Sequence, residues 1–256
     1  MTATTEPPAI TPDISSPAIR TPHRRSPFAL VDIYRSAVGK KWVMAITGIM
    51  LMGFVFFHAF GNLKMYFGAE DFNHYAEFLK ELLVPIVPKT FVLWGLRLGL
   101  IAAFALHIHS AYSLTRLNRQ ARPVKYQSPR DYVAANWAAR TMRWSGVIVG
   151  LFLIWHLADL TWGWANPDFI YGDPYWNVST SLDRAPIAAL YIVANIALGI
   201  HLYHGSWSIF QSLGSMSPRF TPRHNPLRRG FAAGFAILVA GVNISFPIAV
   251  MTGVVG

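Results

Sequence analysis

The sequence predicts an all-α integral membrane protein, a bundle of five transmembrane helices. Of its 256 residues, 53% are hydrophobic and only 13% are charged. Five apolar stretches reach the ~20 residues that a helix needs to cross a hydrocarbon core about 30 Å thick. Five such helices at regular spacing are hard to bury in a soluble protein of this length, so we expect the chain to be surrounded by lipid.

The apolar stretches place the spans at about 41–67, 91–117, 140–163, 185–212 and 229–253. Most prolines fall between the spans, as helix-breaking residues should. Pro186 lies in the first turn of the fourth span, where proline is tolerated, and Pro247 is expected to kink or end the last span. Residues 1–30, rich in Pro, Thr and Ser, form a predicted flexible tail, and 31–256 form the membrane domain.

The basic residues predict the orientation of the chain. Seventeen of the 22 Lys and Arg residues occur in three segments, up to Lys41, from 116 to 143 and from 219 to 229, which all lie on one side of the membrane. By the positive-inside rule the N-terminus is cytoplasmic and the C-terminus is outside, as in a multi-pass protein of a bacterial-type plasma (inner) membrane. Because the net charge of +10 is carried beside the spans, no nucleic acid partner is expected.

Histidine is unusually frequent inside the predicted spans. Ionisable side chains are costly in a bilayer, so they usually face the bundle interior and bind ligands, ions or cofactors. A single intramembrane histidine often does no more than hydrogen-bond across helices. Here six of nine histidines lie in spans: His58, His107, His109, His156, His201 and His204.

Chain direction sorts four of these histidines by depth. His58 and His156 lie 17 and 16 residues into spans that run outward, which at ~1.5 Å per residue places both in the outer half. His107 and His201 follow Lys89 and Arg184 by 18 and 17 residues on spans that run inward, which places both in the cytoplasmic half. One outer and one inner pair result, each drawn from two helices. Such pairs suit the two axial ligands of haem iron, which predicts two stacked haems.

Three segments resemble a known family: GKKWVMAITGIMLMGFVFFHAFGNLKMYFG, ALHIHSAYSLTRLNRQARP and GIHLYHGSWSIFQSLG. They are similar to the cytochrome b membrane-anchor subunit of succinate dehydrogenase and fumarate reductase, in its single-chain, five-helix, di-haem form. The likeness runs from about residue 36 to the last helix. The three motifs occur in the same order and on the same spans as in that family.

The resemblance implies a role in respiratory electron transport linked to the tricarboxylic acid cycle. It implies two haem b groups bound by His58, His107, His156 and His201, a flavoprotein with covalently bound FAD, and an iron-sulfur protein that delivers electrons from succinate. A membrane quinone then accepts them. The chain alone is not expected to oxidise succinate, because it has no flavin-binding motif and no cysteine for an iron-sulfur cluster.

Other readings of the histidines stay open at this point. His109 and His204 are additional inner imidazoles, so the inner histidines and two cysteines from a partner could hold a Rieske-type [2Fe-2S] cluster in place of haem. A proton pathway or transporter would use the histidines without a redox centre. A third possibility is a haem anchor for another oxidoreductase, such as a formate dehydrogenase or hydrogenase.

A quinone site needs an apolar slot open to lipid with hydrogen-bonding groups at the headgroup. Candidates on the outer side are Glu77, Glu81 and Arg97. Those on the cytoplasmic side are Ser36, Lys40, Trp42, His109, Tyr112 and Trp207.

Overall fold

A computed structural model describes residues 29–121, 135–213 and 226–256. Within these ranges the secondary structure is helical, without a strand. The helices are α1 (Ala29–Arg35), α2 (Ala37–Asn62) with a 3₁₀ turn (Leu63–Phe67), α3 (Ala69–Lys80), α4 (Phe91–Gln120), α5 (Ala135–Leu160), α6 (Pro174–Asp183), α7 (Ala185–Ser212) and α8 (Pro226–Met251).

The prediction of five membrane-spanning helices is confirmed. The segments long and apolar enough to cross a bilayer are Ala37–Phe67, Phe91–Gln120, Thr141–Leu160, Ala185–Phe210 and Pro226–Met251.

The ends of the helices differ from the predicted spans for local reasons. The first span starts four residues early because Ser36 caps α2 by accepting a hydrogen bond from the Gly39 amide. The last starts at Pro226, a good first residue for a helix, and continues past Pro247 to Met251. Of the predicted flexible tail, residues 1–28 lie outside the described residues, and α1 begins at Ala29.

The spans are arranged as two antiparallel hairpins and one further helix. In the first hairpin α2 packs along α4, in the second α5 packs along α7, and α8 packs along α7. A Cβ added at Gly199 of α7 would lie 3.0 Å from the Cβ of Ala240 in α8, so the glycine permits this close approach. Such contacts matter in a bilayer because lipid removes most of the hydrophobic drive for helices to associate.

The two hairpins meet loosely. Within the described ranges, neither α2 with α5 nor α4 with α7 is among the helix pairs in extensive backbone contact, although α2 does touch α7 and α8. Side chains of α2 therefore face those of α5, and side chains of α4 face those of α7, without close packing between the helix backbones.

Two short helices, α3 and α6, cover one end of the bundle, which we call the cap end. Asn73 of α3 donates a 2.9 Å hydrogen bond to Asp173, and its side-chain oxygen accepts one of 3.0 Å from the Tyr175 amide of α6. Met65, Phe72 and Leu182 are buried beneath them. The opposite end carries α1, and we call it the α1 end. The short helices were not predicted from the sequence.

Candidate functional site

Four histidine rings form two pairs between the hairpins. The centres of the His58 and His156 rings are 6.0 Å apart with the ring planes at 87°, and those of His107 and His201 are 6.5 Å apart at 70°. Each pair takes one ring from each hairpin. They are the same two pairs that chain direction predicts from the sequence.

The spacing within each pair suits a metal ion between the rings. With a metal–nitrogen bond of about 2.0 Å, two imidazoles on opposite sides of one metal have ring centres roughly 6 Å apart. The helices that carry each pair, α2 with α5 and α4 with α7, are those without extensive backbone contact. Two imidazoles on helices kept apart in this way could hold a haem iron between them.

Two glycines lie level with the α1-end pair and leave room for its rings. A Cβ added at Gly48 of α2 would lie 3.4 Å from Cε1 of His107, and one at Gly146 of α5 would lie 3.2 Å from Cε1 of His201. In both helices the cap-end histidine follows this glycine by ten residues, or ~15 Å along the axis. Since the hydrocarbon core is about 30 Å thick, the two pairs are separated by about half its thickness.

A hydroxyl on α2 contacts the His107 ring. Thr47 Oγ1 is 3.2 Å from His107 Nδ1 and donates its own proton to the Val43 carbonyl at 2.7 Å. With its proton committed, Thr47 Oγ1 accepts from His107, so Nδ1 carries the ring proton. Nε2 is then the nitrogen with a free lone pair.

The second hairpin repeats this contact. Ser145 Oγ is 3.3 Å from His201 Nδ1 and donates its proton to the Met142 carbonyl at 3.1 Å. In both hairpins a hydroxyl oxygen thus faces Nδ1 of the α1-end histidine as an acceptor, which favours the tautomer with the proton on Nδ1 and Nε2 free to bind a metal.

The cap-end pair is held by aromatic and acidic groups. Tyr191 donates a 2.9 Å hydrogen bond to Asp159, and its oxygen, 3.4 Å from His156 Nδ1, is left free to accept a proton from that ring. Phe54 stacks on His58 with ring centres 5.3 Å apart, and Phe152 lies 5.9 Å from His156 in the same position one turn earlier on its helix.

Asp159 is a fully buried carboxylate at the cap end, with 0% of its side chain exposed. Arg184 donates to it at 2.8 Å, and the Ser181 hydroxyl donates a second hydrogen bond. Arg184 is itself 29% exposed and also donates to the Ala165 carbonyl at 2.9 Å. A chain of hydrogen bonds thus joins a partly exposed guanidinium to the ring of His156 through Asp159 and Tyr191.

The two extra histidines lie apart from these ring pairs. The Tyr34 hydroxyl is hydrogen-bonded to His109 Nδ1, and the two rings are stacked 5.8 Å apart. His204 Nε2 is 3.1 Å from the Thr141 hydroxyl, in a buried position. Among the described residues, ring contacts between histidines are confined to the two pairs.

The quinone candidates at the α1 end fall into two groups. Near Tyr34, the Lys40 ammonium lies 5.4 Å from the tyrosine ring centre, while Ser36 serves as the cap of α2. The other members of the set are aromatic side chains, half-buried or exposed, two of them beside arginines: Trp42, Tyr112 with Arg116, and Trp207 with Arg229.

The quinone candidates at the cap end are on the surface. Glu77 pairs with Lys80 at 2.7 Å and also with Lys89, and these hydrogen bonds lower the pKa of Glu77 to about 2. Lys89 pairs as well with Glu81 at 3.1 Å, and both glutamates hold the pKa of Lys89 above its usual value. The Arg97 guanidinium lies 5.2 Å from the Trp94 ring centre. None of these side chains is buried.

Sequence reasoning missed the side chains that hold the rings, namely Thr47, Ser145, Tyr191 and Asp159. A signal for two of them is present, because Met-x-x-Thr-Gly before His58 recurs as Met-x-x-Ser-Gly before His156. Among the described residues, no group of three or more His, Cys, Asp or Glu side chains converges on one metal position. Comparisons with known proteins gave no match to a protein-family model, a curated protein or a solved structure.

Proposed function

We propose that this chain is the membrane-anchor subunit of a succinate dehydrogenase, the enzyme of respiratory complex II, and that it holds two haem b groups and passes electrons to membrane quinone. The observation that carries the proposal is the pair of facing histidines at each of two heights, with ring centres 6.0 and 6.5 Å apart. Two imidazoles at this spacing, on helices held apart, are suited to bind one iron from opposite sides.

His58 and His156 would hold the haem at the cap end, and His107 and His201 the haem at the α1 end. When bound, the two haem groups would supply one-electron transfer. The chain's own residues orient the rings: Thr47 and Ser145 accept from His107 and His201, and Tyr191 accepts from His156. Beside the cap-end rings lie Phe54, 5.3 Å from the His58 ring centre, and Phe152, 5.9 Å from that of His156.

The haem proposal is preferred to a Rieske-type cluster because of how the rings are arranged. In such a cluster two histidines bind the same iron and cysteines bind the other. That arrangement gives no role to His58 and His156, which are paired in the same manner as His107 and His201. A proton pathway without a redox centre would not require matching pairs at two heights.

The assignment to succinate dehydrogenase rests on the three sequence segments that resemble the anchor subunits of that family. This assignment implies two partner subunits, a flavoprotein with covalent FAD and an iron-sulfur protein, which would dock on the basic α1 end. The group of Tyr34, Lys40 and His109 at that end supports quinone binding there, because it combines a hydroxyl, an ammonium and an imidazole near lipid.

The proposed orientation places the α1 end in the cytoplasm and the cap end outside. It follows from the 17 basic residues of the α1 end and its connections, against five elsewhere. A periplasmic-type reporter fused after Gly256 should be active, and the same reporter fused before Ala29 should be inactive. The reverse result would invert the membrane assignment of both histidine pairs.

The function is tested by purification from native membranes through a tag on this chain. We expect a flavoprotein with covalent flavin and an iron-sulfur protein to co-purify, and the complex to reduce quinone with succinate. Separating the soluble partners with a chaotropic salt should abolish quinone reduction by succinate and leave the chain in the membrane. Co-purification of a formate dehydrogenase or hydrogenase in place of these partners would refute the assignment.

A further inference from the structure

We infer that Thr47 and Ser145 are equivalent positioning residues, each of which fixes the proton of one α1-end histidine on Nδ1 and so presents Nε2 to the iron. The inference rests on the proposed haem function and adds to it the residues that prepare the ligands. It predicts that Thr47 and Ser145, which do not themselves bind the metal, control the properties of the α1-end haem and leave those of the cap-end haem unchanged.

The first support is an internal repeat. In α2 a methionine, a hydroxyl residue, a glycine, a phenylalanine and a histidine occur at the same spacing as in α5. The members in α2 and their counterparts in α5 are Met44, Thr47, Gly48, Phe54 and His58, and Met142, Ser145, Gly146, Phe152 and His156. Four of the five types are identical, and the fifth is a hydroxyl residue in both.

The contacts of the repeat are equivalent in both hairpins. The hydroxyl contacts Nδ1 of the α1-end histidine on the adjoining helix, at 3.2 Å for Thr47 and 3.3 Å for Ser145. The glycine one residue later faces Cε1 of the same ring. The phenylalanine lies beside the cap-end histidine of its own helix. In each hairpin the repeated segment thus contacts one histidine of the α1-end pair and carries one histidine of the cap-end pair.

The second support is the direction of the hydrogen bonds. Thr47 donates to the Val43 carbonyl and Ser145 to the Met142 carbonyl, so each hydroxyl oxygen is left as an acceptor for the ring N–H. Histidine ligands usually donate their second ring N–H to an acceptor, which fixes the tautomer and makes the ligating nitrogen more basic. A hydroxyl inside an apolar span has this acceptor role here without introducing a charge.

The test uses the purified three-subunit complex with Thr47→Val, Ser145→Ala and the double variant. The haem of the α1-end pair should show a shifted low-spin EPR signal and a higher midpoint potential, because its ligands become less basic. Transfer of this haem to apomyoglobin should become about 10- to 100-fold faster. The cap-end haem should keep its signal and potential, which also reports that the fold is intact.

Conservative and control variants separate hydrogen bonding from packing. Thr47→Ser keeps the acceptor and should restore the wild-type signal. Thr115→Val and Ser208→Ala remove hydroxyls of α4 and α7 that bond only to carbonyls of their own helix in the described contacts, at 2.8 and 3.0 Å, and they should change neither haem.

The outcomes distinguish this inference from the proposed function. If the wild type contains two haems and Thr47→Val and Ser145→Ala leave both unchanged, the positioning role is refuted and the haem proposal stands. Equal shifts in Thr47→Val and Thr47→Ser, or in both haems, would also refute it, since they indicate altered packing. A wild-type complex without haem refutes the proposed function and the inference together.

Discussion

His58→Ala and His156→Ala variants are each expected to lack one haem, that of the cap-end pair, and to keep the other. His107→Ala and His201→Ala should each lack the haem of the α1-end pair and keep the cap-end haem. If these histidines bind haem as proposed, loss of one imidazole would leave the iron with a single protein ligand. Haem content should therefore fall from two per chain to about one in all four variants, measured as the pyridine haemochrome of the purified complex.

His109→Ala and His204→Ala are matched controls, since they remove the same ring from neighbouring positions. Both should retain two haems, because His109 contacts Tyr34 and His204 contacts Thr141. His109→Ala should instead slow quinone reduction if the Tyr34 group binds quinone. Loss of non-haem iron in the α1-end variants, with no haem in the wild type and full activity in the cap-end variants, would favour the Rieske-type cluster.

Arg184→Met is expected to destabilise the cap end strongly, by about 3–5 kcal/mol, because it leaves the buried Asp159 carboxylate without its cation. Asp159→Asn should lower the stability of the cap end by less, because Arg184 is partly exposed and can be solvated when its partner is neutral. The double variant should be more stable than Arg184→Met alone, because it removes the buried unpaired charge. Thermal unfolding followed by tryptophan fluorescence is a suitable measurement, since Trp155 and Trp162 lie in and beside this part of α5.

A matched control for the ion pair is the exposed pair of Lys64 and Asp71, whose atoms are 3.8 Å apart. Lys64→Met should change the unfolding midpoint little, since exposed pairs contribute between about 0 and 1 kcal/mol. If Arg184→Met were as stable as Lys64→Met, or if the double variant were less stable than Arg184→Met, the ion pair would not be what holds this end together.

The sequence was sufficient for the five spans because each is a long apolar run, which in a bilayer has one stable arrangement. It was less informative about their ends, where a single cap such as Ser36 or a starting proline such as Pro226 decides the first turn. The helix α6 could have been found from Asp173 followed by Pro174, a capping residue and a first-turn proline. The helix α3 depends on contacts of Asn73 with α6, which no local pattern shows.

The grouping of the histidines also followed from the sequence, because chain direction and helix rise place His58 at the height of His156 and His107 at that of His201. The identity of the side chains that contact the rings did not follow from the sequence. Thr47 and Ser145 resemble the small polar residues that often pack between membrane helices. Only the fold brings them to His107 and His201, residues about 60 positions further along the chain.

The haem content of the wild-type complex, with total iron determined on the same sample, is the most direct test of the central claim. The account predicts two haem b per chain, with a reduced-minus-oxidised spectrum of low-spin, six-coordinate haem and two separable potentials. A complex that reduces quinone with succinate but contains no haem would contradict the assignment of both histidine pairs as haem ligands.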